Sequence, residues 1–239
     1  LFGVNTSATR VLTQAAIANK IGSLPLEYSR GWDESIDRRA GRFLSGWGPA
    51  RWERAILQGP HIFVASPLVK SVNRTMKSKG DWTSVDYESL AIDALPITAY
   101  KPVAGIAYDE AYVHWTREGV RVSARDYYRV AWRRMAANSG ERTLIPAIIP
   151  PGAAHVNTVN SLGDPWGSPK RIAVIAGFLS SLIADLRVRS AAKNDILPAT
   201  IQRLPLGSLD SPLVPALVLR VLRLNCVTAA FAEFWESCW

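Results

Sequence analysis

The chain has 239 residues, 48% apolar and 20% charged, with 28 lysines and arginines against 20 acidic residues and a formal charge of +8. That length and composition describe a folded, soluble protein with a sizeable core, in one large domain or two small ones. No stretch approaches the roughly 18 uninterrupted apolar residues of a membrane helix, and Leu1 to Thr6 offer no basic region followed by an apolar core, so the reading is cytoplasmic with no membrane partner.

The excess of positive charge points to an anionic partner, because lysine and arginine release counterions from a phosphate backbone. Cys226 and Cys238 are too few for a disulfide framework and lack the spacing of a zinc site, so they read as buried or free thiols. The start at Leu1 and the interrupted amphipathic run from Phe231 to Trp239 suggest a piece of a longer protein.

Along the chain, residues 1–105 form an irregular first part, broken at Gly41, Gly46, Gly48, Pro49, Gly59 and Pro60, with Trp32, Trp47 and Trp52 among the breaks. Ile62 to Ala65 is a short apolar run of strand type. Lys70, Arg74, Lys77 and Lys79 then surround Asn73 and Ser78 and end at Gly80-Asp81-Trp82. A basic loop with an aromatic at its edge has the composition of a phosphate-contacting segment, and equally that of a solvated charged loop.

Residues 106–239 read as a mixed α/β core that forms one continuous module with the first part. Tyr112 to Trp115 and Val120 to Val122, separated by Glu118-Gly119, predict a hairpin. Arginine recurs at positions 117, 121, 125, 129 and 133, but Gly119 and the β-branched valines argue against a single helical stripe. Tyr127 to Met135 fits a helix by period and a strand by alternation, and strand is preferred. Leu144 to Ile149 reads as a strand, ended by a turn at Pro150-Pro151-Gly152. Ser168-Pro169 opens a helix whose apolar period continues to Arg189. Ile196 to Leu206 reads as a returning strand, and Ser211-Pro212 opens a last long helix through Leu224.

No catalytic signature is present. The chain has no phosphate-binding glycine-lysine loop, no His-Glu-x-x-His and no nucleophile elbow. It also lacks the methyl-donor loop and the Asn-Pro-Pro-Tyr type tetrad of an amino methyltransferase; Ile149 and Gly152 flank Pro150-Pro151, so nothing there holds a target amine. His61, His114 and His155 are scattered and read as structural or surface residues. Asp81, Asp86, Glu88 and Asp93 lie close together but lack the nearby lysine of a nuclease.

The run from Arg129 to Arg133, followed by Gly140 to Leu162 (GERTLIPAIIPPGAAHVNTVNSL), resembles the C-terminal specificity region of adenine DNA methyltransferases of Type IIG-like restriction and phage-defence systems. Phe178 to Gly207, Ile56 to Asn73 and Val221 to Trp239 are similar to further parts of those proteins, so the resemblance covers about two thirds of the chain. It implies a target-recognition module that binds double-stranded DNA and positions a catalytic methyltransferase domain of the same chain. The cofactor S-adenosylmethionine would then belong to that parent domain, with no cofactor, metal or catalytic residue in this segment.

On this reading Lys70, Arg74, Lys77 and Lys79 contact phosphates, while Arg133 and Arg134 are candidates for reading bases. Glu141 to Thr143 reads as a salt-bridged strand start, and Ser180-Ser181 as a close helix-packing site. The alternative function is a protein–protein scaffold module of a phage-defence complex, since tryptophan-rich surfaces also suit protein partners.

Overall fold

The computed structural model of the protein describes residues 18–49, 51–75, 80–103, 106–137, 139–191 and 194–239. In chain order its strands are β1 (Glu27–Ser29), β2 (Phe43–Ser45), β3 (Ile56–Leu57), β4 (Lys70–Val72), β5 (Trp82–Ser84), β6 (Tyr100–Pro102), β7 (His114–Arg117), β8 (Val120–Ser123), β9 (Arg129–Arg133), β10 (Pro146–Ile149), β11 (Ala154–His155) and β12 (Val159–Gly163). Its helices are α1 (Ile36–Arg39), α2 (Ile106–Ala111), α3 (Pro169–Leu179), α4 (Leu182–Ser190), α5 (Pro198–Gln202), α6 (Val214–Asn225) and α7 (Ala232–Cys238). The fold is mixed α/β, with most helices in the C-terminal third.

The strand β9 is the spine. It pairs antiparallel with β12 on one side and β10 on the other, and β1 from the first part of the chain closes the sheet in the order β1-β12-β9-β10. Alternation sends Val130 and Trp132 to one face, where they join Ile148, Leu162 and the apolar sides of α3, α6 and α7. Ala131 points the other way, to Ala147, Ile149, Val159 and, from the first part, Leu57 and Ile62. Both faces are covered, which explains why β9 and β10 read as near-continuous apolar runs.

Polar groups inside this core are partnered across elements. The indole of Trp132 donates to the Ile196 carbonyl (2.8 Å), and Asn160 donates to the same oxygen (3.2 Å). At the sheet edge, Asn225 of α6 accepts from the Ile148 amide of β10 (2.8 Å), so this edge is closed by a side chain.

The predicted hairpin is β7–β8. Glu118 and Gly119 have φ of 51° and 80°, the doubly left-handed backbone of a type I′ turn. The predicted strands at β9 and β10 and the long helix α6 are also present. The turn at Pro150-Pro151-Gly152 holds Gly152 at φ 84°, tight against Glu53.

Three predicted elements differ. The helix expected over Ile172 to Arg189 is two helices, α3 and α4, parted at Ser180-Ser181, where Ser181 caps α4 through the Ala184 amide (3.2 Å). The cause is tertiary. Arg142 donates to the Ser180 and Ser181 carbonyls, and Asp185 of α4 accepts from the Thr143 and Leu144 amides (2.8 and 2.7 Å). Arg142 and Arg189 flank the Asp185 carboxylate. These bonds supply partners for helix ends that would otherwise leave buried main-chain groups open.

The strand expected at Ile62 to Ala65 is a turn: the Phe63 amide bonds Ser66, and Ala65 adopts φ 54° while its amide donates to Pro146. Four apolar residues fix burial here, not extension. The return expected at Ile196 to Leu206 contains the short helix α5, which Pro198 starts at its first turn.

Candidate nucleic-acid interface

The basic loop begins as a strand. Lys70 lies in β4, paired with Ser84 of β5, and the chain turns at Asn73. Asn73 donates to Asp81 (2.6 Å) and accepts from Thr83 (2.6 Å), and Thr75 donates to the other Asp81 oxygen (3.0 Å). This clamp fixes the stem that presents Arg74 to solvent. Among the described residues neither Lys70 nor Arg74 is in an ion pair; Lys77 and Lys79 lie outside the described residues.

A groove runs beside this ribbon. One cavity of about 580 Å³ is lined by Glu34, Arg38, Gln58, Trp82, Tyr100 and Met135, among others. A second, of about 470 Å³, shares Arg38 and Tyr100 and extends to Ser45, Trp47 and Thr75. Arg38 is exposed at this face, and Trp47 and Met135 are the exposed apolar groups along it, at 40% and 70%.

Each wall has a local cause. Asp33 accepts from the Ser35 and Ile36 amides and so starts α1, which sets Glu34 and Arg38 at the rim. The Ile36 amide, ahead of its other partners, holds the Asp33 carboxyl below the usual range. Glu34 accepts from the Tyr100 hydroxyl and from Gln58 Nε2 (3.3 Å). Burial, then the Glu34 carboxylate, pushes the Tyr100 hydroxyl well above its ordinary value, so it remains a donor.

Trp82 stands edge-on to His61, with ring centres 4.7 Å apart. His61 is fully buried. Its Nδ1 accepts from the Gln58 amide (2.9 Å) and its Nε2–H donates to Ile97 (3.0 Å), so burial pushes its pKa down to about 4 and the ring stays neutral. Met135 is fixed by its neighbours, since Arg134 pairs with Asp195 (2.7 Å), the residue bridged to Met135 along the backbone.

The two arginines singled out for base reading sit apart from the ribbon cations. Arg133 is turned inward and donates to the Gly59 and Ile62 carbonyls (2.9 and 2.6 Å), and burial lowers its pKa. Arg134 is engaged with Asp195. Sequence reasoning missed Glu34, Arg38, Gln58, Tyr100 and Met135, which converge from distant parts of the chain and carry no local motif; Trp82, read as the aromatic edge of the basic loop, and Trp47, noted only as an aromatic among glycines, were the visible signals.

Other candidate chemistry resolves into structure. His155 and Ser161 are hydrogen-bonded (2.8 Å) but wholly buried, with the His155 pKa pushed down to about 3 by burial and then by Arg129. His114 bonds the Tyr112 carbonyl. Burial pushes the free thiols of Cys226 and Cys238 up to about 12 and 11, far from thiolate reactivity. Among the described residues no group of three or more His, Cys, Asp or Glu side chains can hold a metal ion, and no helix is long and apolar enough to cross a membrane. Compared with known proteins, the chain matches no family model and no curated relative.

Proposed function

We propose that this chain is the DNA sequence-recognition region of an adenine-specific DNA methyltransferase or restriction-modification enzyme, binding duplex DNA and positioning a separate catalytic domain of the same chain. S-adenosylmethionine would be bound by that domain. The observation that carries the reading is the groove itself: it runs beside a braced two-stranded ribbon, and Arg38, which lines both its cavities, and Lys70 and Arg74 of the ribbon have no carboxylate in ion-pair range among the described residues. Cations left unpaired on a rigid edge suit phosphate, whose neutralisation releases counterions.

The test is a salt titration of single alanine variants at Lys70, Arg74, Lys77 and Lys79 against specific and random duplexes. Each lost phosphate contact should weaken binding alike on every sequence and lower the slope of log affinity against log salt by about 0.9. Unchanged affinity and slope in all four variants would remove the ribbon from the interface. A second reading, a scaffold module of a phage-defence complex, is favoured by the exposed leucines Leu182 and Leu213 on the helical layer, at 73% and 74%. Binding that ignores salt would support that reading instead.

A further inference from the structure

The helical side of the sheet carries two solvent faces of opposite character. Helices α3, α6 and α7 cover the same face of the sheet, and α3 packs against both of the others. The inward side of α6 is set by Val214, Val218 and Val221. Its neighbouring flank reads Leu213, Leu217, Arg220 and Leu224, positions that a helix brings into one stripe, with Arg223 one turn on from Arg220. Leu213 and Leu224 are 74% and 56% exposed, and both arginines are exposed. The stripe is firmly seated: with no side chain at Gly177, Leu217 and Val221 close on the α3 backbone. No acidic residue lies in α6. Helix α7 is its opposite, with no basic residue; Phe234 and Cys238 face inward, and Glu233 and Glu236, one turn apart, stand in solvent. Among the described residues none of these four charges is in an ion pair.

We infer that this helical face pairs with the same face of a second copy of the chain, α6 of each copy lying against α7 of the other. A two-fold axis repeats every contact, so a self-pairing face must hold both halves of each contact, and this one does. Arg220 and Arg223 of one copy meet Glu233 and Glu236 of the other, twice over, while Leu213 and Leu224 leave water against the other copy's helical layer. The leucines supply adhesion and the charges supply register. Helix α6 against a second α6 would set arginine against arginine, and α7 against a second α7 glutamate against glutamate, so charge selects the crossed arrangement. Neither the DNA reading nor the scaffold reading is required for it.

Sedimentation equilibrium of the 239-residue chain tests this. It should be mostly dimeric at about 100 µM, the weak end of specific pairing, and the dimer should give way to monomer as salt rises. Reversing either set of charges, Arg220→Glu with Arg223→Glu or Glu233→Arg with Glu236→Arg, should weaken the pair at least about tenfold, because like charges then meet at both contacts. Mixed in equal amounts, the two reversed chains should restore the dimer, since arginine again faces glutamate at both contacts. Leu213→Glu, which leaves all four charges in place, should weaken the pair as well, and it decides if a reversed chain fails to fold. A wild-type chain that stays monomeric at about 100 µM, a dimer that survives in every folded variant, or reversed chains that fold and do not combine overturns the inference.

Discussion

Two neutral histidines inside the fold make its stability depend on pH in a calculable way. His61 and His155 are completely buried, and their pKa values lie near 4 and 3 against 6.5 in the unfolded chain. Between pH 6.5 and about 4 the unfolded state therefore binds protons that the folded state refuses, so stability falls as pH falls through this window. Each pH unit costs about 1.4 kcal/mol per histidine. At pH 5 the shortfall is about 2 kcal/mol for each ring and about 4 kcal/mol for both, a large part of the 5–15 kcal/mol typical of a domain. Urea unfolding at pH 7 and pH 5 measures the loss, and His61→Gln should remove about half of its slope, whatever that variant does to stability at pH 7. A loss under about 1 kcal/mol, or His61 and His155 ring resonances of the folded protein that titrate near pH 6.5, would refute the reasoning.

The clamp that divides the helices should be equally exposed to perturbation. Asp185→Ala leaves two buried amides without their acceptor and removes the carboxylate from beside Arg142 and Arg189, and should cost about 3–5 kcal/mol in urea unfolding. At the sheet edge, Asn225→Leu strands the Ile148 amide and should cost about 1–3 kcal/mol, with faster hydrogen exchange at that amide as the local signature.

The elements legible in the sequence are those whose own residues decide them. Glu118-Gly119 dictates a turn chemistry, and the alternation through Arg129 to Arg133 sends Val130 and Trp132 to one buried face and Ala131 to the other, as a strand does. The elements misread are those decided from elsewhere. The apolar period of α3 runs on past Ser180, and the Ser181 cap together with Arg142 and Asp185, distant in sequence from each other, ends the helix there. Ile62 to Ala65 has strand composition, yet Arg133 and Pro146 bind its main chain and hold it as a turn. The groove was illegible for the same reason: Glu34, Gln58, Tyr100 and Met135 meet only after β1 has joined the sheet and the first part of the chain has folded over its second face.

The arginines show how far net charge overstates what a partner meets. Of the five spaced every fourth residue, Arg125 is buried against the Gly152 and Glu53 carbonyls, with its guanidinium over the Tyr108 ring and paired to Asp109. Arg129 is wholly buried and donates to Ala153, and Arg133 donates to Gly59 and Ile62. Arg125 and Arg133 tie the β9 region to the irregular first part of the chain, and all three satisfy main-chain carbonyls with the rigid, many-donor fork of arginine. Their charge is spent in the interior. Any long-range attraction of phosphate must then come from exposed side chains such as Arg38, which lines both cavities of the groove, and Arg74 on the ribbon.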